Sequence, residues 1–264
     1  MANVIAVTNQ KGGVGKTTTA INLSYYLAKC HNARTLLIDF DPQGNATSGM
    51  GIDKQELKSP SNLNGALTVL DVVTGEADIS SAIKKTKFKN LSIMPSTVQL
   101  ADAEVGLSNR ADKFTCLNNA ISNIKDDYDF IIIDSPPSLS ILTLNVLVAS
   151  DYVLLPVQAE FYALEGLTQL LETIKLVRQS LNPTIEILGV VVTMMDSRTA
   201  LSRQVYQEVA RYFPGKVLKN SVPRNVRLAE APSHGLPVGV YDRFSKGAKA
   251  YKMIAKEILS RLGW

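Results

Sequence analysis

The chain has 264 residues, of which 45% are apolar and 20% are charged, a composition typical of a globular protein in water. Its two cysteines, Cys30 and Cys116, form neither a disulfide framework nor a zinc motif, and we expect both to be small core residues. No signal peptide precedes the first predicted strand, and no apolar run reaches the ~18 residues of a membrane span. We therefore expect a cytoplasmic protein with no membrane segment.

The net charge of +4 is unevenly distributed. Residues 197–264 contain 13 Lys and Arg against 4 Asp and Glu, a balance of +9, so the preceding residues carry −5. A basic C-terminal quarter indicates a surface for a polyanion such as nucleic acid, although lysines that merely solvate helix faces would give the same balance. A second cluster, Lys84, Lys85, Lys87 and Lys89, is interpreted as a solvated turn that could add to such a surface.

Short apolar segments recur along the chain and predict strands. Several, such as residues 131–133, are apolar at every position, which is typical of strands buried on both faces of a parallel sheet. The predicted strands are 4–8, 35–39, 91–94, 130–134, 152–157 and 185–193.

Helical patterns separate these strands. Such alternation predicts an α/β fold with a doubly wound, mostly parallel sheet, helices on both faces and ligands at the carboxyl ends of the strands. No linker or repeat divides the chain, so we expect one domain over residues 1–264. The predicted helices are 17–30, 112–126, 139–149, 161–180, 198–212 and 245–262.

Residues 11–18, between the first strand and the first helix, form a glycine-rich loop that predicts phosphate binding. Backbone N–H groups of such a loop and the helix N-terminus point at the ligand. A lysine here meets the β- and γ-phosphates, and the next hydroxyl meets Mg²⁺. The usual P-loop pattern is altered, because Gln10 replaces its first glycine and a lysine follows. The predicted nucleotide-binding residues are Lys11, Gly12, Gly13, Val14, Gly15, Lys16, Thr17 and Thr18.

Acidic residues follow two of the predicted strands. Asp39 and Asp41 end the second strand, and Asp134 ends the fourth. A lone strand-end Asp is usually a cap or turn residue, but these three share a sheet edge with the phosphate loop. We interpret Asp134, with Thr17, as the Mg²⁺ site and Asp41 as the residue that orients the attacking water. Asp39 would assist the metal site or pair with Lys16.

The chain resembles the ParA-type partition ATPases with a deviant Walker A loop, and specifically their chromosomal Soj group. The similarity extends from about residue 3 to about residue 260. It is carried by residues 11–18, 39–50 (DFDPQGNATSGM), 131–138 (IIIDSPPS) and 222–232 (VPRNVRLAEAP), with further matches at 160–170 (EFYALEGLTQL) and 193–199 (TMMDSRT).

The resemblance implies binding of ATP with Mg²⁺ and an ATP-dependent homodimer with two nucleotides at its interface. Lys11 matches the lysine that reaches the partner's phosphates. Pro223 and Asn225 match positions near the adenine, and Arg198 and Arg227 match arginines that bind double-stranded DNA without sequence preference. A ParB-like, centromere-binding protein would stimulate hydrolysis on the nucleoid, during segregation of a chromosome or plasmid.

Four other interpretations share the loop. A MinD-like division-site ATPase would place the C-terminal helix on a membrane, although the helical spacing of its apolar residues is more typical of a last core helix. An iron–sulfur ATPase would need both cysteines near the dimer axis. A tyrosine autokinase would need a C-terminal tyrosine cluster. A nucleotide-dependent scaffold without hydrolysis would not need Asp41 and Asp134.

Overall fold

A seven-stranded sheet organises the structure, a computed structural model that describes residues 1–59, 61–160 and 167–264. The strands are β1 (Asn3–Val7), β2 (Thr35–Asp39), β3 (Lys84–Lys85), β4 (Leu91–Met94), β5 (Phe130–Asp134), β6 (Tyr152–Gln158) and β7 (Glu186–Thr193). Their spatial order is β3-β4-β2-β5-β1-β6-β7, and all neighbours pair in parallel except β3 with β4.

Helices cover both faces of this sheet, which confirms the predicted doubly wound fold. Three further 3₁₀ turns occupy Lys54–Glu56, Val98–Ala101 and Ala231–His234. The helices are α1 (Lys16–His31), α2 (Asn45–Gly49), α3 (Val69–Thr74), α4 (Ile79–Ala82), α5 (Asp102–Leu107), α6 (Cys116–Ser122), α7 (Ile141–Ala149), α8 (Leu167–Ser180), α9 (Ala200–Tyr212), α10 (Val226–Glu230), α11 (Val238–Tyr241) and α12 (Lys246–Arg261).

Burial on both faces explains the continuous apolar strands. In β1, Ile5 and Val7 pack into a core formed with α1 and α12, whereas Val4 and Ala6 pack into a core on the opposite face. A third core joins β6 and β7 to α8 and α9. The central strands therefore have no solvent-facing side, as parallel strands between two helical layers require.

The carboxyl ends of the central strands lie side by side. Asp134 of β5 is in register with Val7 of β1 on one side and with Asp39 of β2 on the other. The loop that follows β1 therefore lies beside the acidic ends of β5 and β2.

The apolar face of α12 belongs to the core. Tyr251, Ile254 and Ile258 are all buried, and Trp264 beyond the helix packs against Phe130 with ring centroids 5.1 Å apart. This confirms the interpretation of residues 245–262 as a last core helix. Within the described residues, no helix is both long and apolar enough to cross a membrane.

The structure differs from several of the predictions made from the sequence. Residues 84–85, expected in a turn, form the antiparallel edge strand β3 because they pair with Ser92 and Ile93. Cys116 is buried as expected, but the expectation for Cys30 was wrong because this residue is exposed near the end of α1. The predicted helix 112–126 shortens to α6. Of the predicted helix 161–180 and the matching segment 160–170, residues 161–166 lie outside the described part of the chain.

Candidate nucleotide site

The loop between β1 and α1 is open to a ligand. Gly13 and Gly15 adopt left-handed φ angles of 77° and 89°, which glycine reaches without a Cβ clash. A Cβ at Gly12 or Gly13 would meet no atom of the described residues within 4 Å, so the loop faces open space there. No side chain in the described ranges caps the start of α1, and the first N–H groups of this helix remain available to an anion.

Distant side chains hold this loop in place. The Asn9 amide donates to the Pro156 carbonyl over 2.7 Å and accepts from the Lys11 N–H over 3.0 Å. The Thr193 hydroxyl at the end of β7 donates to the Val14 carbonyl over 2.8 Å. Asn9 and Thr193 were not predicted as site residues. Their contacts bridge the loop to β6 and β7, so the sheet fixes the shape of the phosphate cradle.

Lys16 is a nearly buried cation at the base of the loop. Its side chain is only 7% exposed, and its ammonium donates to the Lys11 carbonyl over 3.4 Å. Burial lowers the pKa of Lys16, while the nearby Asp134 and Asp41 carboxylates oppose that shift. A cation with so few partners is ready to bind phosphate oxygens.

Asp134 is fully buried, and among the residues that the structure describes neither of its carboxyl oxygens has a hydrogen-bond partner. Burial, reinforced by the charge of Asp39, raises the pKa of Asp134 well above its usual range. The Thr17 hydroxyl and Lys16 act in the opposite direction, although Thr17 lies beside the carboxyl without completing a hydrogen bond. A buried carboxylate left without partners is costly, so a cation is the expected missing partner.

Asp39 is also fully buried, but both of its carboxyl oxygens accept hydrogen bonds. The backbone N–H and the hydroxyl of Thr47 each donate to Oδ2 over 2.7 Å, and the Asp41 N–H donates to Oδ1 over 3.3 Å. Burial raises the pKa of Asp39 to about 6, against these hydrogen bonds. Among the described residues, the expected alternative of an ion pair between Asp39 and Lys16 is not formed, because the carboxylate accepts from Thr47 in α2.

Asp41 begins the turn that leads into α2. The Gln43 N–H donates to Asp41 Oδ1 over 2.9 Å, and the Gly44 N–H donates to the Asp41 carbonyl over 2.8 Å. The side chain is nearly buried and lies close enough to Lys16 and Asp134 to affect the pKa of both. The structure therefore brings together all three predicted acidic residues.

The residues around Asp134 fit a magnesium ion. No group of three His, Cys, Asp or Glu side chains in the described ranges is arranged as a metal cage. Mg²⁺ does not require one, because it retains waters and takes one or two carboxylates together with substrate phosphates. The unpartnered Asp134 oxygens beside the Thr17 hydroxyl supply such a half-complete shell.

Lys11 forms an ion pair with Glu160. Its ammonium lies 3.6 Å from Glu160 Oε2, and the Lys11 side chain is 36% exposed. The other Glu160 oxygen lies 3.9 Å from Arg224 and accepts a hydrogen bond from Gln158. The predicted second lysine is thus at the rim of the site, where solvent or another molecule can reach it.

A cavity of about 370 Å³ adjoins the loop and contains both predicted adenine-contacting residues, Pro223 and Asn225. It opens beside Gly15 and Thr18, at the start of α1. The side-chain oxygen of Asn225 is buried and has no hydrogen-bond partner in the described part of the chain. The wall of the cavity is largely apolar, which suits the flat ring of a nucleotide base. The Asn225 oxygen could accept a hydrogen bond from an amino group on that base. Sequence reasoning missed the other main wall residues, Thr193, Met194, Val222, Leu228 and Tyr251.

The two predicted DNA-binding arginines lie outside this cavity. Arg198 precedes α9, and its side chain is 88% exposed and pairs with Asp196 over 2.8 Å. Arg227 in α10 lies 2.8 Å from Glu230 and 3.4 Å from Asp242. Both guanidiniums are exposed, but each is already paired with carboxylates of the same chain.

The sheet, the lysine-bearing loop and the bare carboxylate define a P-loop nucleotide-binding protein of the deviant Walker A type. The sequence profile of the family described as AAA domain matches residues 2–187. Sporulation initiation inhibitor protein Soj of Bacillus subtilis is 51% identical over 258 residues, with 98% of each chain covered. Chromosome-partitioning ATPase Soj of Treponema pallidum is 46% identical, with 100% of this chain and 99% of that protein covered.

The fold of a solved protein agrees. Cobyrinic acid a,c-diamide synthase from Mycobacterium smegmatis, with bound ATP analog and magnesium, superposes with a TM-score of 0.87. It is 37% identical, and the match covers 99% of this chain and 96% of that one. The chain belongs to the ParA/Soj family of partition ATPases.

The bare carboxylate of Asp134 makes a prediction for the ligand-free protein. Asp134→Asn removes a buried, unpartnered charge, so the free energy of unfolding at about pH 7 should rise by about 1–3 kcal/mol. Urea unfolding without nucleotide or Mg²⁺ measures this gain. The gain should shrink as the pH falls towards the ordinary Asp pKa of about 4, because the raised pKa lets the folded wild type take up a proton first.

Asp127→Asn is the control, because this exposed aspartate forms no ion pair among the described residues and should change stability by less than about 0.5 kcal/mol. If Asp134→Asn instead destabilises the ligand-free protein near pH 7, other groups already stabilise the Asp134 carboxylate. The interpretation that it lacks a partner would then be wrong.

Proposed function

We propose that the protein is a Mg²⁺-dependent partition ATPase that hydrolyses ATP to ADP and phosphate. The observation that carries the proposal is the fully buried, unpartnered carboxylate of Asp134 beside Lys16 and the open glycine loop. ATP with Mg²⁺ supplies the negative phosphates and the cation that this arrangement lacks. The names of the Soj relatives support the choice of partition as the process.

Each part of the nucleotide has a matching part of the site. The N–H groups of residues 12–18 and the Lys16 ammonium would bind the phosphates. Thr17 and Asp134 would hold Mg²⁺, which when bound neutralises charge on the phosphates. The base would enter the cavity lined by Pro223, where the Asn225 carbonyl oxygen would accept from the adenine amino group.

Asp41 and Asp39 would have different roles. Asp41 would accept a hydrogen bond from the attacking water and orient it towards the terminal phosphate. Asp39 would act as a positioning residue, because both of its oxygens accept bonds from Thr47 and Asp41. It would fix the Asp41 turn and the start of α2, and we place it behind the metal site instead of within it.

Lys11 would make hydrolysis depend on a second copy of the chain. The Lys11 side chain is partly exposed and pairs with Glu160, so its ammonium is held by a carboxylate that it could leave. In an ATP-bound homodimer it would leave Glu160 and approach the partner's phosphates, as a cation delivered in trans. We propose that residues 1–264 act as one unit in this dimer.

The DNA-binding part rests on Arg198 and Arg227, which lie in the basic C-terminal quarter. Their guanidiniums would exchange carboxylate partners for DNA phosphates, which gives affinity without sequence preference. A ParB-like partner would stimulate hydrolysis and release the protein from the nucleoid. The membrane-bound, MinD-like alternative is not favoured, because the apolar face of α12 is already buried in the core.

Hydrolysis and dimerisation can be separated by substitution. Asp41→Ala should bind ATP but lose at least about 100-fold in phosphate release, because the water is no longer oriented. Its ATP dimer should accumulate in light scattering with Mg²⁺. Asp41→Ala combined with Lys11→Ala should bind ATP yet remain monomeric. Hydrolysis by Asp41→Ala at the wild-type rate would contradict the role of Asp41, and an undiminished dimer of the double variant would contradict that of Lys11.

DNA binding gives a second test. Arg198→Glu with Arg227→Glu should still form the ATP dimer but lose the ATP-dependent binding of duplex DNA. The salt dependence of any remaining binding should weaken by about 2 in the slope of log K against log salt, because two phosphate contacts are lost. Arg178→Glu with Arg211→Glu is the matched control on exposed positions of α8 and α9. Equal DNA affinity of both double variants would refute the assignment.

A further inference from the structure

The turn from Asp41 to Gly44 carries the carboxylate to which the proposed function assigns the attacking water. Two N–H groups of this turn hold Asp41. The Gln43 N–H donates to its Oδ1 over 2.9 Å, and the Gly44 N–H donates to its carbonyl over 2.8 Å. The Gly44 N–H and the Gln43 carbonyl belong to the same peptide unit. The position of Asp41 therefore depends on how that peptide unit is oriented.

Gly44 gives this peptide unit freedom to rotate. Its φ angle is 59°, and glycine adopts positive and negative φ values about equally readily. A rotation of the Gln43–Gly44 peptide unit would carry the Gly44 N–H away from the Asp41 carbonyl. A contact from outside the turn can fix the observed orientation.

Lys54 makes such a contact. Its ammonium donates to the Gln43 carbonyl over 2.6 Å. A Cβ built on Gly44 would lie 2.8 Å from Lys54 Cε and 3.0 Å from Nζ, so the lysine side chain packs directly against the turn. The same Cβ would lie 2.8 Å from the Ser96 carbonyl oxygen, so the segment after β4 also packs against Gly44.

The charge of Lys54 serves this one carbonyl. Lys54 is half-buried, and among the described residues it forms no ion pair and donates only to the Gln43 carbonyl. The groove of about 670 Å³ beside it has no acidic residue in its described lining. A hydrogen bond from a charged donor is stronger than one between neutral groups. The contact can therefore hold a peptide unit that is otherwise free to rotate.

The backbone that carries Lys54 is fixed independently of the nucleotide loop. Asp53 caps the 3₁₀ turn that begins at Lys54. The next residues attach this turn to α3, because Leu57 is fully buried and the Lys58 ammonium lies 2.6 Å from Asp71 Oδ1. Lys54 thus holds the Asp41 turn from a base that does not require a bound nucleotide.

We propose that Lys54 is a positioning residue for hydrolysis. By binding the Gln43 carbonyl, it fixes the Gln43–Gly44 peptide unit and so holds Asp41 where it can orient the attacking water. The inference rests on the proposed function in taking Asp41 as the residue that orients this water. Lys54 would affect turnover through the turn, without a contact to the phosphates.

Amide hydrogen exchange in the nucleotide-free protein tests the contact without any need for hydrolysis. Lys54→Met keeps the length of the side chain but has no donor, and Lys54→Arg restores a charged donor. The Gly44 N–H should exchange at least about fivefold faster in Lys54→Met, because the peptide unit can rotate, and Lys54→Arg should slow it again. Lys175→Met, at an exposed position of α8, is the control and should match the wild type. Unchanged Gly44 exchange in Lys54→Met would overturn the proposal.

Phosphate release with ATP and Mg²⁺ tests the consequence for turnover. Lys54→Met should lower kcat by about 10- to 100-fold, because the water is no longer held in line. Its affinity for ATP, measured by calorimetry, should stay within about twofold of the wild type, because the phosphate cradle is intact. Lys54→Arg should recover most of the rate. A loss of ATP affinity with unchanged kcat would place the ammonium on the phosphates and overturn the proposal.

A double variant tests whether Lys54 acts through Asp41. Adding Lys54→Met to Asp41→Ala should change the residual rate by less than about twofold, because the positioned carboxylate is already absent. A further loss as large as that of Lys54→Met alone would refute the positioning role.

The same measurements separate this inference from the proposed function. Hydrolysis that depends on Asp41 but not on Lys54 would overturn the inference and leave the proposed function standing. If the wild type does not hydrolyse ATP, the proposed function fails. Gly44 exchange then decides on its own whether Lys54 fixes the turn.

Discussion

The site depends on charges that the fold buries without complete partners. The register of β2, β5 and β1 places Asp39 beside Asp134 at the edge of the sheet, next to the glycine loop. Asp39 accepts hydrogen bonds from Thr47. Within residues 1–59, 61–160 and 167–264, by contrast, Asp134 accepts no hydrogen bond and Lys16 donates only to one carbonyl. An ion and phosphates at this edge would remove an electrostatic cost that folding alone leaves in place.

The incomplete pairing of charges in the site also connects nucleotide binding to the proposed formation of a homodimer. A nucleotide in the cradle places negative charge at the rim, where Lys11 is held only by Glu160 in a partly exposed ion pair. Such pairs are weak, so the ammonium can be transferred to a better anion on a second copy.

The sequence predicted those elements whose residues follow a pattern that repeats over a short stretch of the chain. Strands β2, β4 and β5 were bounded to the residue, because apolar runs buried on both faces are unambiguous. The short helices α2 to α5 were missed, because helices of this length depend on packing and show little periodicity. The anchors Asn9 and Thr193 were also missed, because their bonds join residues 147 and 179 positions apart and no local pattern encodes them.

The most direct measurement of the central claim is calorimetric titration of ATP with and without Mg²⁺, on the wild type and on Asp134→Asn. If Asp134 supplies the bare carboxylate for the ion, Mg²⁺ should tighten ATP binding to the wild type and leave Asp134→Asn nearly unchanged. Binding without Mg²⁺ should persist in both proteins, because the loop and Lys16 are intact. An undiminished Mg²⁺ effect in Asp134→Asn would contradict the account.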